Sequence, residues 1–174
     1  MRLFSLEDIS LCDGLESIGD NAFSGCGVKK LDLPDSIMHI GKEAFMDCDL
    51  LESVKMPLEL RKIEVQTFRG CDSLCKIEMP KALESIGVRA FENTALVSLV
   101  IPRSVCEIAY CAFEGCGRLE SVSFENTESW FKGRYSEIDG RLEPCLIKRG
   151  EAAARTLKAH NVSFWCAKTD NMEK

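Results

Sequence analysis

Residues 40–48 read Ile-Gly-Lys-Glu-Ala-Phe-Met-Asp-Cys, and the phrase Ile-Gly-x-x-Ala-Phe-x-x-Cys returns along the 174-residue chain. Its phenylalanine recurs with gaps of 22, 23, 23 and 22 residues, at Phe23, Phe45, Phe68, Phe91 and Phe113. A period of ~20–30 residues is typical of repeat architectures, in which one unit cannot bury its apolar face without its neighbours. The sequence therefore predicts a solenoid of stacked coils with a continuous phenylalanine ladder in its core.

A strand signature accompanies each copy of this phrase. Residues 51–57 read Leu-x-x-Val-x-Met-Pro, and related segments occupy residues 6–11, 28–34, 74–80, 96–102 and 119–124. Alternating apolar and polar residues indicate a strand with one buried face, and proline ends it because it cannot donate to a ladder. We expect six parallel strand segments and five units in which a tight turn at the glycine leads into a single helical or 3₁₀ turn that buries the phenylalanine.

Together these segments resemble the leucine-rich repeat of the bacterial surface-antigen (BspA-like) type. The resemblance is carried by Leu-x-x-Val-x-Met-Pro at 51–57 and Ile-x-x-x-Thr-Phe-x-x-Cys at 63–71, and it covers about residues 6–125. It implies a β-rich α/β horseshoe with one short parallel strand per repeat and helical turns opposite. It also implies a surface protein that binds other proteins or host matrix. Glu59 and Ser36 stand where the general repeat has Asn or Cys, so the asparagine ladder is absent and the turn must be made another way.

Three regions follow from where the period holds. Residues 1–125 are predicted to form the solenoid, 126–167 a C-terminal cap and 168–174 a flexible tail. Within the cap, Trp130 and Phe131 are expected to pack on the last coil, since terminal repeats must cover the open core. A helix is predicted at 150–161 and a closing strand at 162–165.

Composition excludes several classes of function. Hydrophobic residues make up 45% and charged residues 29%, as in ordinary globular proteins. The net charge is −6 without a basic stripe, which argues against nucleic acid as a partner. No apolar run is long enough for membrane insertion, and an acidic pair interrupts the N-terminus before a signal sequence could form. We expect a cytoplasmic protein if Met1 is the true start, and a surface or secreted one if a signal peptide has been removed.

The ten cysteines are the most reactive residues in the chain. Four of them share one column of the repeat: Cys26, Cys48, Cys71 and Cys116. Coil spacing would permit disulfides, but Thr94 fills the same slot in the fourth repeat, which favours packing over a disulfide or a metal. Cys75 and Cys111 align with Glu52 and Glu43, so we expect both thiols to be exposed.

An enzymatic reading has little support in the sequence. The motifs of nucleophile elbows, zinc proteases and phosphate-binding loops do not occur. His39 is interpreted as a solvated turn residue and His160 as a cation at a helix C-terminus. The sequence therefore predicts no catalytic, metal or cofactor-binding residue, and no cofactor. A thiol-dependent enzyme or redox sensor using Cys75 or Cys111 is the weakest alternative.

A binding surface is the remaining candidate. In a curved solenoid the outward strand residues line the concave face, the usual contact surface of such proteins. These residues are Lys30, Asp32, Ser53, Lys55, Lys76, Glu78, Ser98, Val100, Ser121 and Ser123. We interpret the chain as a non-catalytic module that presents this face to a protein partner. One alternative is a solvated sheet, since no aromatic anchor lies there; another is a structural solenoid that self-associates through its end.

Overall fold

The computed structural model describes residues 9–125 and, beyond them, three strands at 130–135, 142–146 and 162–166. Five coils, one per phenylalanine, each contain a short and a long strand. The short strands are β1 (Ser17–Ile18), β3 (His39–Ile40), β5 (Lys62–Ile63), β7 (Ser85–Ile86) and β9 (Glu107–Ile108). The long strands are β2 (Lys30–Asp32), β4 (Ser53–Lys55), β6 (Lys76–Glu78), β8 (Ser98–Ile101) and β10 (Ser121–Phe124).

Neighbouring coils pair their strands in parallel. The long strands form two sheets, β2-β4-β6 and β8-β10, and the short strands form β1-β3 and β5-β7-β9. Leu31 lies beside Val54, and Val54 beside Ile77, so one buried apolar residue repeats at the centre of each strand. The predicted solenoid and its parallel strands are confirmed. The second strand of each coil was not predicted, although Ile18 and Ile40 each follow a polar residue as strand alternation requires.

The phenylalanine ladder forms the centre of the core. Successive rings stack with centroids 5.5, 5.5, 5.5 and 5.2 Å apart and planes within 10° of parallel. Four of the rings have no exposed surface, while Phe23 in the first coil is half-buried. Stacked aromatic pairs contribute roughly 0.5–1.5 kcal/mol beyond burial, so the ladder couples each coil to the next as the sequence predicted.

The segment around each phenylalanine is a run of turns, so the predicted helical turn is wrong within residues 9–125. Each run contains two residues of positive φ, which break a right-handed helix. The first of them form the column Asn21, Glu43, Gln66, Arg89 and Cys111, and the second the column Gly25, Asp47, Gly70, Asn93 and Gly115. Amide groups in this run alternate between an acceptor three residues back and one on the next coil; for instance Ser24 N–H donates to Asn21, and Phe23 N–H to Ala44.

The second of these columns alternates between glycine and Asp or Asn. A Cβ atom at Gly70 would collide with the Asp47 side chain, and one at Gly115 with the Asn93 side chain. Glycine, Asp and Asn are also the residues that adopt positive φ most readily. The alternation therefore satisfies the backbone conformation and leaves room for each carboxylate or amide over the next coil.

The glycine that follows the isoleucine has a different role from the one expected. Gly19, Gly41 and Gly87 do not have positive φ. A Cβ at Gly87 would lie 2.7 Å from the Glu64 carbonyl carbon of the preceding coil, whereas one at Gly19 would meet no described residue within 4 Å. Close backbone approach between coils, and not turn geometry, accounts for Gly41 and Gly87, while Glu64 and Ala109 occupy the equivalent position in the third and fifth coils.

The turn between long and short strands is made without an asparagine ladder. The carbonyls of the four prolines in the repeat, Pro34, Pro57, Pro80 and Pro102, each accept a bond from the residue three positions on, as between Pro34 and Ile37. Serine hydroxyls add bonds between coils, with Ser36 donating to the Leu15 carbonyl at 2.8 Å and Ser104 to the Lys81 carbonyl at 2.7 Å. Proline and serine thus take the place of the missing asparagine.

Beyond the fifth coil the described strands are antiparallel. These strands are β11 (Trp130–Tyr135), β12 (Leu142–Leu146) and β13 (Val162–Cys166). β11 pairs with both β12 and β13, and β13 pairs with β9, which extends the short-strand sheet. A strand therefore lies where the closing strand was predicted. The predicted helix at 150–161, the tail at 168–174 and the packing of the Trp130 and Phe131 side chains fall outside the described residues.

The other end of the solenoid has less strand than expected. Of the segment predicted at 6–11, the described part, residues 9–11, is not a strand. Ile9 and Leu11 are nevertheless partly buried against the core. The first coil is therefore covered by apolar contact at this position, without a strand in residues 9–11.

Candidate functional site

The structure places all ten predicted binding residues on the long strands, where they form one surface, here called the long-strand face. Their neighbours in the strands point inward, as the alternation of exposed and buried residues in β2, β6 and β8 shows. Nine of the ten are exposed and Ser53 is half-buried. In register, Lys30, Ser53 and Lys76 form one column, and Asp32, Lys55 and Glu78 form the next.

The charged side chains of the long-strand face have no ion-pair partner among the described residues. Ion pairs in that part of the chain join residues outside this face, such as Arg61 with Glu84 at 2.9 Å. The face carries three lysines and two carboxylates, so it is slightly basic on a chain of net charge −6. These exposed charges are therefore not neutralised by ion pairs within the described residues.

Two hollows lie on the long-strand face. The smaller, about 210 Å³, lies between the side chains of Asp32, Lys55 and Lys76. The larger, about 340 Å³, is lined by Lys76 and Glu78 of β6 and by Ser98 and Val100 of β8. It lies between the two long-strand sheets.

The larger hollow coincides with a break in strand pairing. β6 and β8 are adjacent but belong to different sheets. At the equivalent place in the other pairs, Glu52 N–H donates to Lys29 at 2.7 Å and Glu120 N–H to Val97 at 2.9 Å. Within residues 9–125, Val97 N–H makes no such bond to the third coil.

The break coincides with a shorter connection into β8. Leu99 comes eight positions after Phe91, as Leu31 does after Phe23 in the first coil, whereas Ile77 comes nine after Phe68. The longer connections contain a turn in which a leucine N–H donates to a cysteine carbonyl three residues back, at 2.9 Å for Leu74. One residue fewer removes this turn in the fourth coil and changes how the chain enters β8. The 22-residue gap was visible in the sequence, but the break in pairing was not predicted from it.

The cysteine column is buried, as predicted. Thiols of Cys48, Cys71 and Cys116 donate to the carbonyl of a phenylalanine in the preceding coil at 3.1, 3.2 and 3.0 Å. The hydrogen bond with Cys48, together with burial, holds the pKa of Cys71 well above the ordinary thiol value of 9.0. Burial also raises the pKa of Cys26. The same hydrogen bond from the Cys71 side chain lowers the pKa of Cys48. Burial therefore favours the neutral thiol at Cys26 and Cys71, which suits packing, since a thiolate is the reactive form.

Predictions for three other residues have different outcomes. Cys75 is exposed as expected, but Cys111 is buried at 1% exposure. Cys111 occupies the repeat position of Glu43 and Arg89, but its side chain is too short to reach solvent there. The hydrogen bond from the Cys111 side chain raises the pKa of Tyr110. His39 is exposed on strand β3 and not in a turn.

No group of three or more potential metal ligands occurs in the part of the chain that the structure describes. Among these same residues, no helix has the length and apolar composition needed to cross a membrane.

Comparison with known proteins agrees with this geometry. The profile of the BspA type Leucine rich repeat region matches residues 1–129 in six copies. The chain belongs to the BspA-type leucine-rich repeat family. No protein of curated function matches its sequence.

Two solved structures of bacterial leucine-rich repeat proteins are similar to this BspA-type chain. The protein from Bacteroides ovatus is 39% identical, with a TM-score of 0.61, over 62% of this chain and 28% of its own length. The T. pallidum leucine-rich repeat protein is 32% identical, with a TM-score of 0.59, over 67% of this chain and 68% of its own length. This BspA-type chain thus spans less than a third of the Bacteroides ovatus protein.

Proposed function

We propose that the chain is a non-catalytic protein-interaction module whose long-strand face binds an acidic surface of a partner protein. The observation that carries the proposal is the set of unpaired lysines on a regular strand scaffold, Lys30, Lys55 and Lys76. Backbone pairing holds β4 on both sides and β2 and β6 on one side each, so the lysine side chains are positioned before a partner arrives. Preorganisation of this kind lowers the entropic cost of binding.

The family supports this proposal at a coarser level. Leucine-rich repeats of the BspA type serve as interaction or structural modules and are typical of surface proteins. We therefore place the proposed partner outside the cell. The short strands offer a poorer surface, because each presents only one outward residue, such as His39 or Lys62.

The proposal can be tested with poly-glutamate as an acidic probe. Lys55→Ala combined with Lys76→Ala should weaken binding about fivefold, because exposed ion pairs contribute roughly 0.5 kcal/mol each. Lys42→Ala on the turn side makes the same type of charge change away from the face and should leave binding unchanged. Equal affinities for the wild type, the double variant and the control would show that the long-strand face does not bind acidic chains.

A structural role is the second candidate. Within the described residues, β1 and β2 pair on one side only, and the adjacent Phe23 ring is half-buried. A strand edge of this kind can pair with another chain. Mass measurement over a hundredfold concentration range distinguishes the two roles. A dimer that dissociates on dilution supports self-association, and a monomer at every concentration contradicts it.

A further inference from the structure

Backbone hydrogen bonds hold the third and fourth coils together along one arc only. At one end of this arc the Arg61 carbonyl accepts a bond from Glu84 N–H at 2.7 Å. At the other end Gly70 N–H donates to the Glu92 carbonyl at 2.8 Å, and the β5–β7 pair lies between the two ends. Over residues 9–125 no backbone hydrogen bond joins the remainder of these two coils, which contains β6 and β8. The junction is therefore bonded on one side and open on the other.

An ion pair lies at each end of this bonded arc. The exposed side chains of Arg61 and Glu84 meet at 2.9 Å. Arg69 contacts Glu92 at 2.7 Å, and the Glu92 side chain is only 12% exposed. Both pairs join the third coil to the fourth, whereas the other two ion pairs of the described residues lie within a single coil. In this part of the chain, ion pairs between coils therefore occur at the junction whose long strands are unpaired.

The repeat columns show why this junction alone carries such pairs. From the first coil to the fifth, the two columns read Glu16-Met38-Arg61-Glu84-Cys106 and Ser24-Met46-Arg69-Glu92-Glu114. In both columns, opposite charges are neighbours only between the third and fourth coils. The sequence therefore places two attractive contacts at this junction and none in the same columns at the other junctions.

We propose that the third and fourth coils meet at a hinge that opens on the long-strand side, and that the two ion pairs limit how far the opening extends. Opening there breaks no strand ladder, and a hollow of about 340 Å³ already lies between β6 and β8. An opening that spreads past either end of the bonded arc has to separate an ion pair. Salt screens such pairs, so the extent of the opening depends on ionic strength.

The hinge divides the long-strand face into two unlike parts. Strands β2, β4 and β6 carry all five charged residues of the ten on this face, whereas β8 and β10 carry Ser98, Val100, Ser121 and Ser123. An opening between β6 and β8 changes the angle between the charged and the uncharged part. The spacing of the charges is preserved, because β2, β4 and β6 stay paired. The inference does not depend on the proposed function, since it stands on bonds and charges between coils.

Amide exchange of the full chain, followed by NMR at about 0.05 M and about 1 M sodium chloride, tests the hinge, because the Debye length falls to roughly 3 Å at 1 M. The N–H groups of Glu84 and Gly70, at the ends of the arc, should exchange about threefold faster at high salt. Cys106 and Asn93 donate equivalent bonds of 2.9 and 2.8 Å between the fourth and fifth coils, where these columns lack opposite charges, and their exchange should stay within about 1.5-fold. Equal salt responses at the two junctions would overturn the proposal.

Substitutions separate the ion pairs from other effects of salt. Arg61→Gln combined with Arg69→Gln should speed exchange at Glu84 and Gly70 at low salt and remove the salt dependence. Lys62→Gln breaks an ion pair within the third coil and is the matched control, which should leave both amides unchanged. Unchanged exchange in the double variant would contradict the role of the ion pairs.

A reversed ion pair distinguishes charge from packing. Arg61→Glu places two carboxylates side by side and should speed exchange of the residue 84 amide, and the added Glu84→Arg should return its protection to within about twofold of the wild type. Circular dichroism and melting curves verify that each variant is folded. Failure of the reversed pair to restore slow exchange would show that the packing of Arg61, and not its charge, holds this end of the arc, and the proposal would fall.

Discussion

Three backbone hydrogen bonds join every pair of adjacent coils on the phenylalanine side, whereas the long-strand side has a break between β6 and β8. Between the third and fourth coils the phenylalanine side keeps the bonds of Gln66, Phe68 and Gly70, at 2.9, 2.9 and 2.8 Å. The long strands β6 and β8 make no ladder at the same junction, whereas the short strands β5 and β7 do. The phenylalanine side therefore determines the stacking of the coils, and pairing on the long-strand side can vary without loss of the fold.

The short-strand side gives a second example. β3 and β5 do not pair, and Glu64 stands there in place of the glycine found at Gly41 and Gly87. This break lies between the second and third coils, one junction before the break at β6 and β8. Because the two breaks are staggered, each is bridged by an intact ladder on the opposite strand side.

The largest expected effect comes from removing a ring on the phenylalanine side, where the hydrogen bonds between coils are continuous. Phe68→Ala should lower the free energy of unfolding by about 3–5 kcal/mol, since it removes a fully buried ring from the middle of the stack. Phe23→Ala, at the half-buried end, should cost less than half as much. Urea denaturation measures both. Equal losses at the two positions would mean that the ladder is not a cooperative core element.

A smaller effect tests the close approach of the coils. Gly87→Ala places a methyl group against the Glu64 backbone and should destabilise by about 1–3 kcal/mol, as overpacking does. Gly19→Ala is the matched control, because the same atom meets no described residue within 4 Å and should change stability by less than about 0.5 kcal/mol. Equal melting temperatures for the two variants would contradict the tight contact.

The smallest expected effect is a local difference in amide exchange at the break between β6 and β8. Val97 N–H should exchange with solvent at least tenfold faster than Glu120 N–H, which is bonded to Val97 at 2.9 Å. Amide exchange followed by NMR compares the two in one sample. Slow exchange at Val97 would show that the ladder is closed in solution, and the difference between the two sides would disappear.

The repeat, the buried columns and the outward residues of the long strands could all be predicted, because each depends on a side chain that recurs at a fixed position. The ladder from Phe23 to Phe113 and the burial of Cys71 are examples. These positions were visible by alignment of the copies alone.

Backbone conformation was harder to predict. Positive φ at Glu43, Gln66 and Arg89 has no sequence signal, because stacking holds these residues in a conformation they otherwise disfavour. The column that contains Gly70 and Asn93 carried a signal in its glycine, Asp and Asn residues, which indicate positive φ. Exposure of Cys111 was misjudged because the alignment showed charged neighbours but not the length of side chain needed to reach solvent.

The alternation of glycine with Asp47 and Asn93 has a consequence for how such an array can grow or shrink. Each Asp or Asn occupies space that the glycine of the following coil leaves open. Deletion of the third coil alone would bring Asp47 beside Asn93, so that two polar side chains compete for one space. Deletion or duplication of two consecutive coils preserves the alternation, whereas deletion or duplication of a single coil does not.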